Sequence, residues 1–354
     1  MRLDEFRSFF EVHGVDAVLV TNPANCTYLS GFTGSSGLLF VTRDQAFLIT
    51  DFRYVEQALN QSGAYGFKVV QHGSDLFTTL EGLFCESNVS HIGFECEDVT
   101  FCFYEKLRKV SGSSELIPLK GMVDPIRMIK DDNEISLIEH ACHIGDMAFE
   151  RVLSFIKPGV SELEIAAEIE TFFLSNGVHT SFDTIVASGL NGSMPHAEVS
   201  DKKICNGEFV TMDFGCSFRG YKSDMTRTVM VGKPTLEQRE IYDLVLKAQL
   251  KGLQAAKNGV VACDVDMSAR DVIVEAGHGN NFGHSLGHGV GLEIHEKPSV
   301  SPSGNVVLRP GMVFSIEPGV YIPGWGGVRI EDLVVLTDRG LKIMTKSPKE
   351  LIQL

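Results

Sequence analysis

The 354-residue chain lacks the features that mark several broad classes of protein. It has no cluster of lysines and arginines, and its net charge of −15 disfavours a nucleic-acid partner, because phosphate backbones require positive charge. No apolar run approaches the roughly 20 residues that span a bilayer. Acidic residues near the start interrupt any signal-peptide core. We therefore expect no nucleic-acid partner, no membrane segment and no signal peptide.

The eight cysteines form neither a CxxC pair nor a tight framework. In a chain of this length, that distribution predicts reduced thiols and a cytoplasmic protein. Hydrophobic residues make up 44% of the chain and charged residues 22%, which is ordinary for a globular protein. The length exceeds the size at which a single hydrophobic core stops growing, so two domains are expected.

Residues 1–124 show short apolar runs between helical stretches. Strands are predicted where runs are bounded by turn residues, at 17–20, 37–41, 46–50 and 91–94. Helices are predicted at 4–11, at 51–59 with Asp51 as the N-cap, and at 101–110. We find no phosphate loop and no dinucleotide fingerprint here, so the prediction is an α/β domain with a structural or substrate-gating role, followed by a linker at 118–125.

Residues 125–354 combine four amphipathic helices with several strands. The helices are predicted to begin at Asp131 or Asp132, at the capping boxes of Ser161 and Thr235, and near residue 264. The strands are predicted at 208–215, 221–231, 312–318 and 328–336. This pattern predicts an α+β domain in which helices back a curved antiparallel sheet.

Five candidate metal ligands lie in these strands and turns: Asp213, Asp224, His288, Glu317 and Glu331. Four carboxylates with one imidazole suit two divalent ions such as Mn²⁺, Co²⁺ or Zn²⁺, and paired ions serve metal-assisted hydrolysis. Asp213 and Asp224 are predicted to face each other across a hairpin. An exposed polar pair is the alternative.

Other residues support the same chemistry. Glu317 lies inside an apolar run, where an unpaired charge would be costly and a metal ion would compensate it. Strand alternation places Arg329 and Glu331 on one face, so Arg329 is predicted to orient a ligand carboxylate. A surface Arg–Glu ladder is the alternative. His284 and His295 lie close to His288 among glycines, which permit close backbone approaches.

Five motifs match, in residue type, order and spacing, those of the pita-bread metallopeptidases, the family of methionine aminopeptidase, prolidase and Xaa-Pro aminopeptidase; they are residues 212–215, 223–228, 287–291, 316–319 and 329–332. Residues 28–34 and 50–54 resemble the creatinase-type N-terminal domain. The resemblance implies a creatinase-like domain at 1–124 and a pita-bread catalytic domain at 125–354.

The resemblance also implies an activity and its residues. Two ions, with Mn²⁺ expected and Co²⁺ or Zn²⁺ possible, would be held by the five ligands, and a bridging hydroxide would attack the bond between an N-terminal residue and a following proline. Glu317 would also shuttle the proton to the leaving amine. His196 and His295 would stabilise the tetrahedral intermediate, and His284 would lie in the substrate pocket. Related enzymes with this N-terminal domain are commonly homodimers.

The resemblance leaves two alternatives open, a non-catalytic binding module and an Xaa-Pro dipeptidase. Creatinase itself lacks the metal ligands present here, whereas a non-catalytic binding module would be distinguished by its metal content. Prolidases usually carry an arginine shortly after the residue that corresponds to His295, where it binds the dipeptide carboxylate. Residues 296–299 contain no arginine, which weakens selection for a free C-terminus. This departure favours an Xaa-Pro aminopeptidase over an Xaa-Pro dipeptidase.

Overall fold

The computed structural model describes residues 2–354, and the chain forms two compact units. Helices alternate with strands in the first unit. This unit ends at Arg127, and the second spans Met128–Leu354. The helices of the first unit are α1 Arg2–Ser8, α2 Phe10–His13, α3 Pro23–Ser30, α4 Val55–Ser62, α5 Leu76–Ser87, α6 Phe101–Val110 and α7 Asp124–Arg127, with a 3-10 turn at Gly63–Tyr65. Its strands are β1 Ala17–Val20, β2 Leu38–Thr42, β3 Ala46–Thr50, β4 Lys68–Gln71, β5 His91–Glu95 and β6 Glu115–Leu119.

The six strands form one mixed sheet in the order β4-β3-β2-β1-β5-β6. β1 pairs antiparallel with β2 and parallel with β5. β1, β2 and β3 are buried at every position. Strands buried on both faces have continuous apolar sequences, which is why these three strands were predictable.

Two local predictions for this unit are wrong. Asp51 does not cap a helix, because its carboxylate accepts hydrogen bonds from the backbone and guanidinium of Arg53 at 2.8–3.0 Å. Helix α4 begins at Val55 instead. Residues 118–125 are not an open linker, since Leu119 ends β6 and Asp124 begins α7.

The second unit contains four long helices, α8 Asp132–Leu153, α9 Glu162–Ser175, α10 Leu236–Ala255 and α11 Ala262–Glu275. Its strands are β7 His179–Thr180, β8 Ile185–Ser188, β9 Glu208–Phe214, β10 Cys216–Phe218, β11 Tyr221–Lys222, β12 Met225–Val231, β13 Gly287–Gly289, β14 Glu296–Val300, β15 Val313–Ile316, β16 Gly319–Ile322, β17 Gly326–Arg329, β18 Asp332–Thr337 and β19 Gly340–Ile343. Two 3-10 turns lie at Gly189–Ser193 and Gly279–Asn281. The predicted helices are confirmed, with capping boxes at Asp131, Ser161 and Thr235.

The second unit repeats one arrangement with an offset of about 100 residues. In each half a helix pair is joined by a short turn, and the residue before the second helix forms a β-bridge with a later segment: Ser161 with Lys203, and Val261 with Val307. The first half contributes β8, β9 and β12 as one antiparallel sheet, and the second contributes the sheet β14-β13-β15-β18-β19. Among residues 2–354, no helix has the combined length and apolarity that crossing a bilayer requires.

Candidate active site

Asp213 and Asp224 come from neighbouring segments but not from facing positions. Asp213 lies near the end of β9, where its partner on β12 is Thr226. Asp224 lies in the break between β11 and β12. The predicted pairing of the two aspartates across a regular hairpin is therefore wrong in register. One carboxylate oxygen of each nevertheless lies within 4.8 Å of the other.

A glycine explains this register. The chain passes from β9 to β10 at Gly215, where a Cβ atom would lie 1.9 Å from the carbonyl oxygen of Ser223. Only glycine permits such an approach. The hydroxyl of Ser223 accepts a hydrogen bond from the backbone N–H of Cys216 at 3.0 Å. This bond fixes the crossing, which is the point where the chain at Gly215 passes close to Ser223. Asp224 follows directly and is thereby held beside the end of β9.

His288 is the middle residue of β13, between two glycines that leave no room for side chains. A Cβ atom at Gly287 would lie 2.0 Å from the carbonyl oxygen of Ser315, and one at Gly289 would lie 2.2 Å from that of Lys297. The backbone N–H of His288 donates to the hydroxyl of Ser315 at 3.0 Å. The glycines therefore let β13 pack closely between its neighbours.

The imidazole of His288 points at two carboxylates. Its Nδ1 lies 3.2 Å from the carbonyl oxygen of Gly289, which can only accept, so Nδ1 carries the proton. Its Nε2 lies 3.2 Å from Oε1 of Glu317 and 3.6 Å from Oδ2 of Asp224. Ser315 also donates to Glu317 at 2.9 Å. One serine thus fixes both the strand of His288 and the Glu317 carboxylate.

Glu331 lies in the break between β17 and β18, and its Oε2 accepts the hydroxyl of Thr226 at 2.7 Å. Arg329, the last residue of β17, donates to the same hydroxyl at 3.1 Å and to Oδ2 of Asp213 at 2.7 Å. The single strand predicted at 328–336 is interrupted between the two residues. Shared contact with Thr226, rather than strand alternation, therefore relates Arg329 to Glu331.

Burial and mutual repulsion perturb the carboxylates strongly. Burial first, and then the charge of Glu331, raises the pKa of Asp224 well above its ordinary value. Burial and the charge of Glu317 raise the pKa of Glu331 in the same way. Burial also acts to raise the pKa of Glu317, but the hydrogen bond and charge of His288 outweigh it and lower that pKa to about 2. So many buried carboxylates call for positive charge beside them.

Asp213, Asp224, His288 and Glu317 line a cavity of about 790 Å³ in the second unit. Its volume lies within the range of small-molecule sites. Three further histidines also line it, namely His196, His284 and His295. The ring centroids of His288 and His295 are 4.3 Å apart. Partial burial, followed by repulsion from His288, lowers the pKa of His295. The structure thus brings all the predicted site histidines to one cavity.

Both ring nitrogens of His284 are occupied. Nδ1 lies 2.8 Å from the carbonyl oxygen of Ser285, and Nε2 lies 2.9 Å from the hydroxyl of Tyr321. Arg329 donates to the same hydroxyl at 2.9 Å. Burial lowers the pKa of His284. Tyr321 was not predicted as a site residue, because a lone tyrosine in an apolar strand has no recognisable spacing.

The arrangement fits a divalent cation. Asp213, Asp224 and Glu331 each offer an oxygen within 4.8 Å of the other two. Within residues 2–354, buried Oδ1 of Asp213 and Oε1 of Glu331 have no hydrogen-bond partner, and buried oxygens rarely stay unpaired without an ion or water. Together with the imidazole of His288, these oxygens form a donor set that suits hard-to-borderline ions.

Comparison with known families agrees with this chemistry. The sequence pattern of metallopeptidase family M24 matches residues 136–338. The chain belongs to metallopeptidase family M24. The creatinase/prolidase N-terminal domain matches residues 2–129. The predictions of a pita-bread metallopeptidase with a creatinase-like N-terminal domain, and of a metal-dependent enzyme, are confirmed. Membership in this family implies a site for divalent metal.

Individual relatives match over nearly their whole length. An Xaa-Pro dipeptidase of Bacillus anthracis superposes with a TM-score of 0.97 at 45% identity, covering 100% of this chain and 99% of the other. An Xaa-Pro dipeptidase of Pyrococcus horikoshii is 40% identical, covering 97% of this chain and 96% of the other. An X-Pro aminopeptidase of Thermotoga maritima superposes with a TM-score of 0.89 at 37% identity, covering 97% and 99%.

Proposed function

We propose that this member of the M24 family is an Xaa-Pro dipeptidase, which hydrolyses the bond between an N-terminal residue and a following proline. The observation that carries the proposal is the similarity, at 40–45% identity over nearly the full chain, to two proteins named Xaa-Pro dipeptidase. This similarity supports the dipeptidase better than the aminopeptidase favoured by our sequence analysis. The missing arginine is a difference from prolidases at one place, whereas the sequence identity to the two dipeptidases extends over nearly the whole chain.

The proposed ligands of the metal pair are Asp213, Asp224, His288, Glu317 and Glu331. Because four of the five are carboxylates, Mn²⁺ is the proposed ion, although Co²⁺ and Zn²⁺ fit the same donors. When bound, such ions polarise a scissile carbonyl and make a water acidic enough to supply hydroxide near neutral pH.

The chain's own groups would bind the peptide and move the proton. Glu317 lines the cavity, and its carboxylate is proposed to take a proton from the attacking water and deliver it to the proline nitrogen as the C–N bond breaks. His196 and His295 line the same cavity and are proposed to donate hydrogen bonds to the carbonyl oxygen as it gains charge. The neutral ring of His284, held on both nitrogens, would form part of the pocket wall.

A second candidate, an Xaa-Pro aminopeptidase acting on longer peptides, is favoured by one observation. Among the described residues no lysine or arginine lines the cavity, whereas Glu170, Asp183 and Glu198 do. A free C-terminal carboxylate bound there would lack a cationic partner. Ser299, four residues after His295, lines the cavity and belongs to the segment 296–299 in which an arginine was expected.

The deciding experiment uses Mn²⁺-loaded protein on three substrates: the dipeptide Ala-Pro, its C-terminal amide, and the tripeptide Ala-Pro-Ala. The dipeptidase proposal predicts the highest kcat/KM on Ala-Pro. Equal or higher values on the amide and the tripeptide would support the aminopeptidase instead. Metal-free protein and Glu317→Ala are the controls for background hydrolysis. Light scattering on the same preparation tests the proposed homodimer.

A further inference from the structure

The segment that carries His196 is fastened at both ends by one buried carboxylate. Glu162 is the first residue of α9, and its side chain is fully buried. Its Oε1 accepts the backbone N–H and the hydroxyl of Ser188, both at 2.7 Å. Its Oε2 accepts the hydroxyl of Ser200 at 2.6 Å. Ser188 and Ser200 are the first and last residues of the segment 188–200.

A third partner lies within the segment. The amide of Asn191 donates to both oxygens of Glu162 at 3.1 Å. The backbone carbonyl oxygen of Asn191 accepts a hydrogen bond from the backbone N–H of Met194. The backbone carbonyl oxygen of Met194 in turn accepts one from the N–H of Ala197. His196 lies within this second turn. A chain of hydrogen bonds therefore runs from the carboxylate to the residues that flank His196.

The Glu162 carboxylate is not needed to cap α9. The capping box of α9 is formed by Ser161 and Glu164, so the helix already has its cap without Glu162. A buried charge without hydrogen-bond partners would be costly, and the segment 188–200 supplies those partners. Glu162 and the segment thus depend on each other, whereas Glu164 caps the helix and pairs with Lys203 outside the segment.

The other half of the second unit contains a similar device. Asp266 on α11 is buried, and its Oδ1 accepts the backbone N–H of Leu286 at 2.9 Å. Arg270 pairs with Asp266 and donates to the carbonyl oxygen of His284 at 2.8 Å. In both halves, a buried acid in the first turns of the second helix holds a segment that brings a histidine to the cavity.

We infer that Glu162 is a positioning residue for the reaction: it holds the 188–200 segment so that the His196 imidazole lies where the scissile carbonyl gains charge. The inference rests on the proposed function, in which His196 contacts the reacting carbonyl. A displacement of about 1 Å in such a group can lower the rate by about 100-fold.

The test compares Glu162→Gln with its neighbour Glu164→Gln in the Mn²⁺-loaded protein. The glutamine at 162 keeps the size of the side chain but presents an N–H₂ group to donors. We expect kcat on Ala-Pro to fall by about 10- to 100-fold, with little change in KM and no loss of bound metal. Glu164→Gln alters the helix cap and the pair of Glu164 with Lys203, which lies outside the segment, and should retain wild-type kcat.

A double-mutant cycle with His196→Ala separates positioning from mere structural support. If Glu162 acts through His196, Glu162→Gln has little further effect once the imidazole is gone. An equal loss of kcat in both backgrounds, or no loss in either, would overturn the inference. Should Glu162→Gln fail to fold, Asn191→Ala and Ser200→Ala remove partners on the segment and leave α9 intact, and the same non-additivity is expected. Inactive wild-type protein would instead contradict the proposed function.

Discussion

Gly215→Ala is expected to disrupt the proposed metal site without replacing any of its proposed ligands. The new methyl carbon would lie 1.9 Å from the carbonyl oxygen of Ser223 and 2.5 Å from the hydroxyl of Ser181. Non-bonded heavy atoms pack at about 3.5 Å or more, so the backbone at Ser223 must move by more than about 1 Å. Asp224 follows directly in the chain and must move with it.

Two magnitudes follow from this displacement. Overpacking of a buried site costs about 1–3 kcal/mol of unfolding free energy, which urea denaturation would measure. A misplacement of about 1 Å costs about 100-fold in rate, so kcat/KM on proline dipeptides should fall at least that far. Metal content per chain, measured by mass spectrometry, should fall as well.

Gly145→Ala is the matched control, because Gly145 also faces Ser223. It lies inside α8, and a Cβ atom there would lie 4.0 Å from the hydroxyl of Ser223, an ordinary contact. Alanine is favoured over glycine within a helix by about 0.5–1 kcal/mol, so this variant should be more stable than wild type. Wild-type stability and turnover in Gly215→Ala would refute the reasoning about the crossing.

Three further outcomes are expected. Glu317→Ala should abolish turnover while circular dichroism shows an intact fold; retained activity would contradict its assignment as proton carrier. His295→Ala should lower kcat far more than metal content, whereas equal losses would make it a ligand or a structural residue. Hydrogen bonds from the backbone of Ser161, and then from Lys203, lower the pKa of Glu164 to about 2. The stability that Glu164 contributes is therefore present above pH about 4.5 and lost as the pH falls towards about 2. Urea denaturation at several pH values should show the advantage of wild type over Glu164→Gln shrinking in that window; a constant difference would contradict it.

Local signals in the sequence predicted the helices well. The caps at Asp131, Ser161 and Thr235 depend on residues three positions away, so the sequence alone contains them. Asp51 is also a favoured N-cap residue, but Tyr54 rather than Glu or Gln lies three positions later. Its carboxylate pairs with Arg53 instead, a competition between neighbours that a cap pattern does not resolve.

The structure brings the predicted site residues Asp213, Asp224, His288 and Glu317 to one cavity, but the sequence did not predict their geometry. Motif spacing identified Asp213 and Asp224, yet their relation depends on the contact of Gly215 with Ser223, and no period-2 pattern reveals this crossing. The positions of Thr226 and Glu162 were not predicted. Their partners lie 105 and up to 38 residues away in the chain, and only the folded structure brings them together.

The candidate ligands of the proposed metal site are divided between the two repeated halves of the second unit. The first half carries Asp213 and Asp224, whereas His288, Glu317 and Glu331 all belong to the second. Neither half alone holds the complete proposed donor set, so ion binding at the proposed site requires the two halves to lie together. A chain nicked at the turn between β12 and α10 would behave as a split enzyme, whose fragments are joined more tightly by metal and loosened by a chelator.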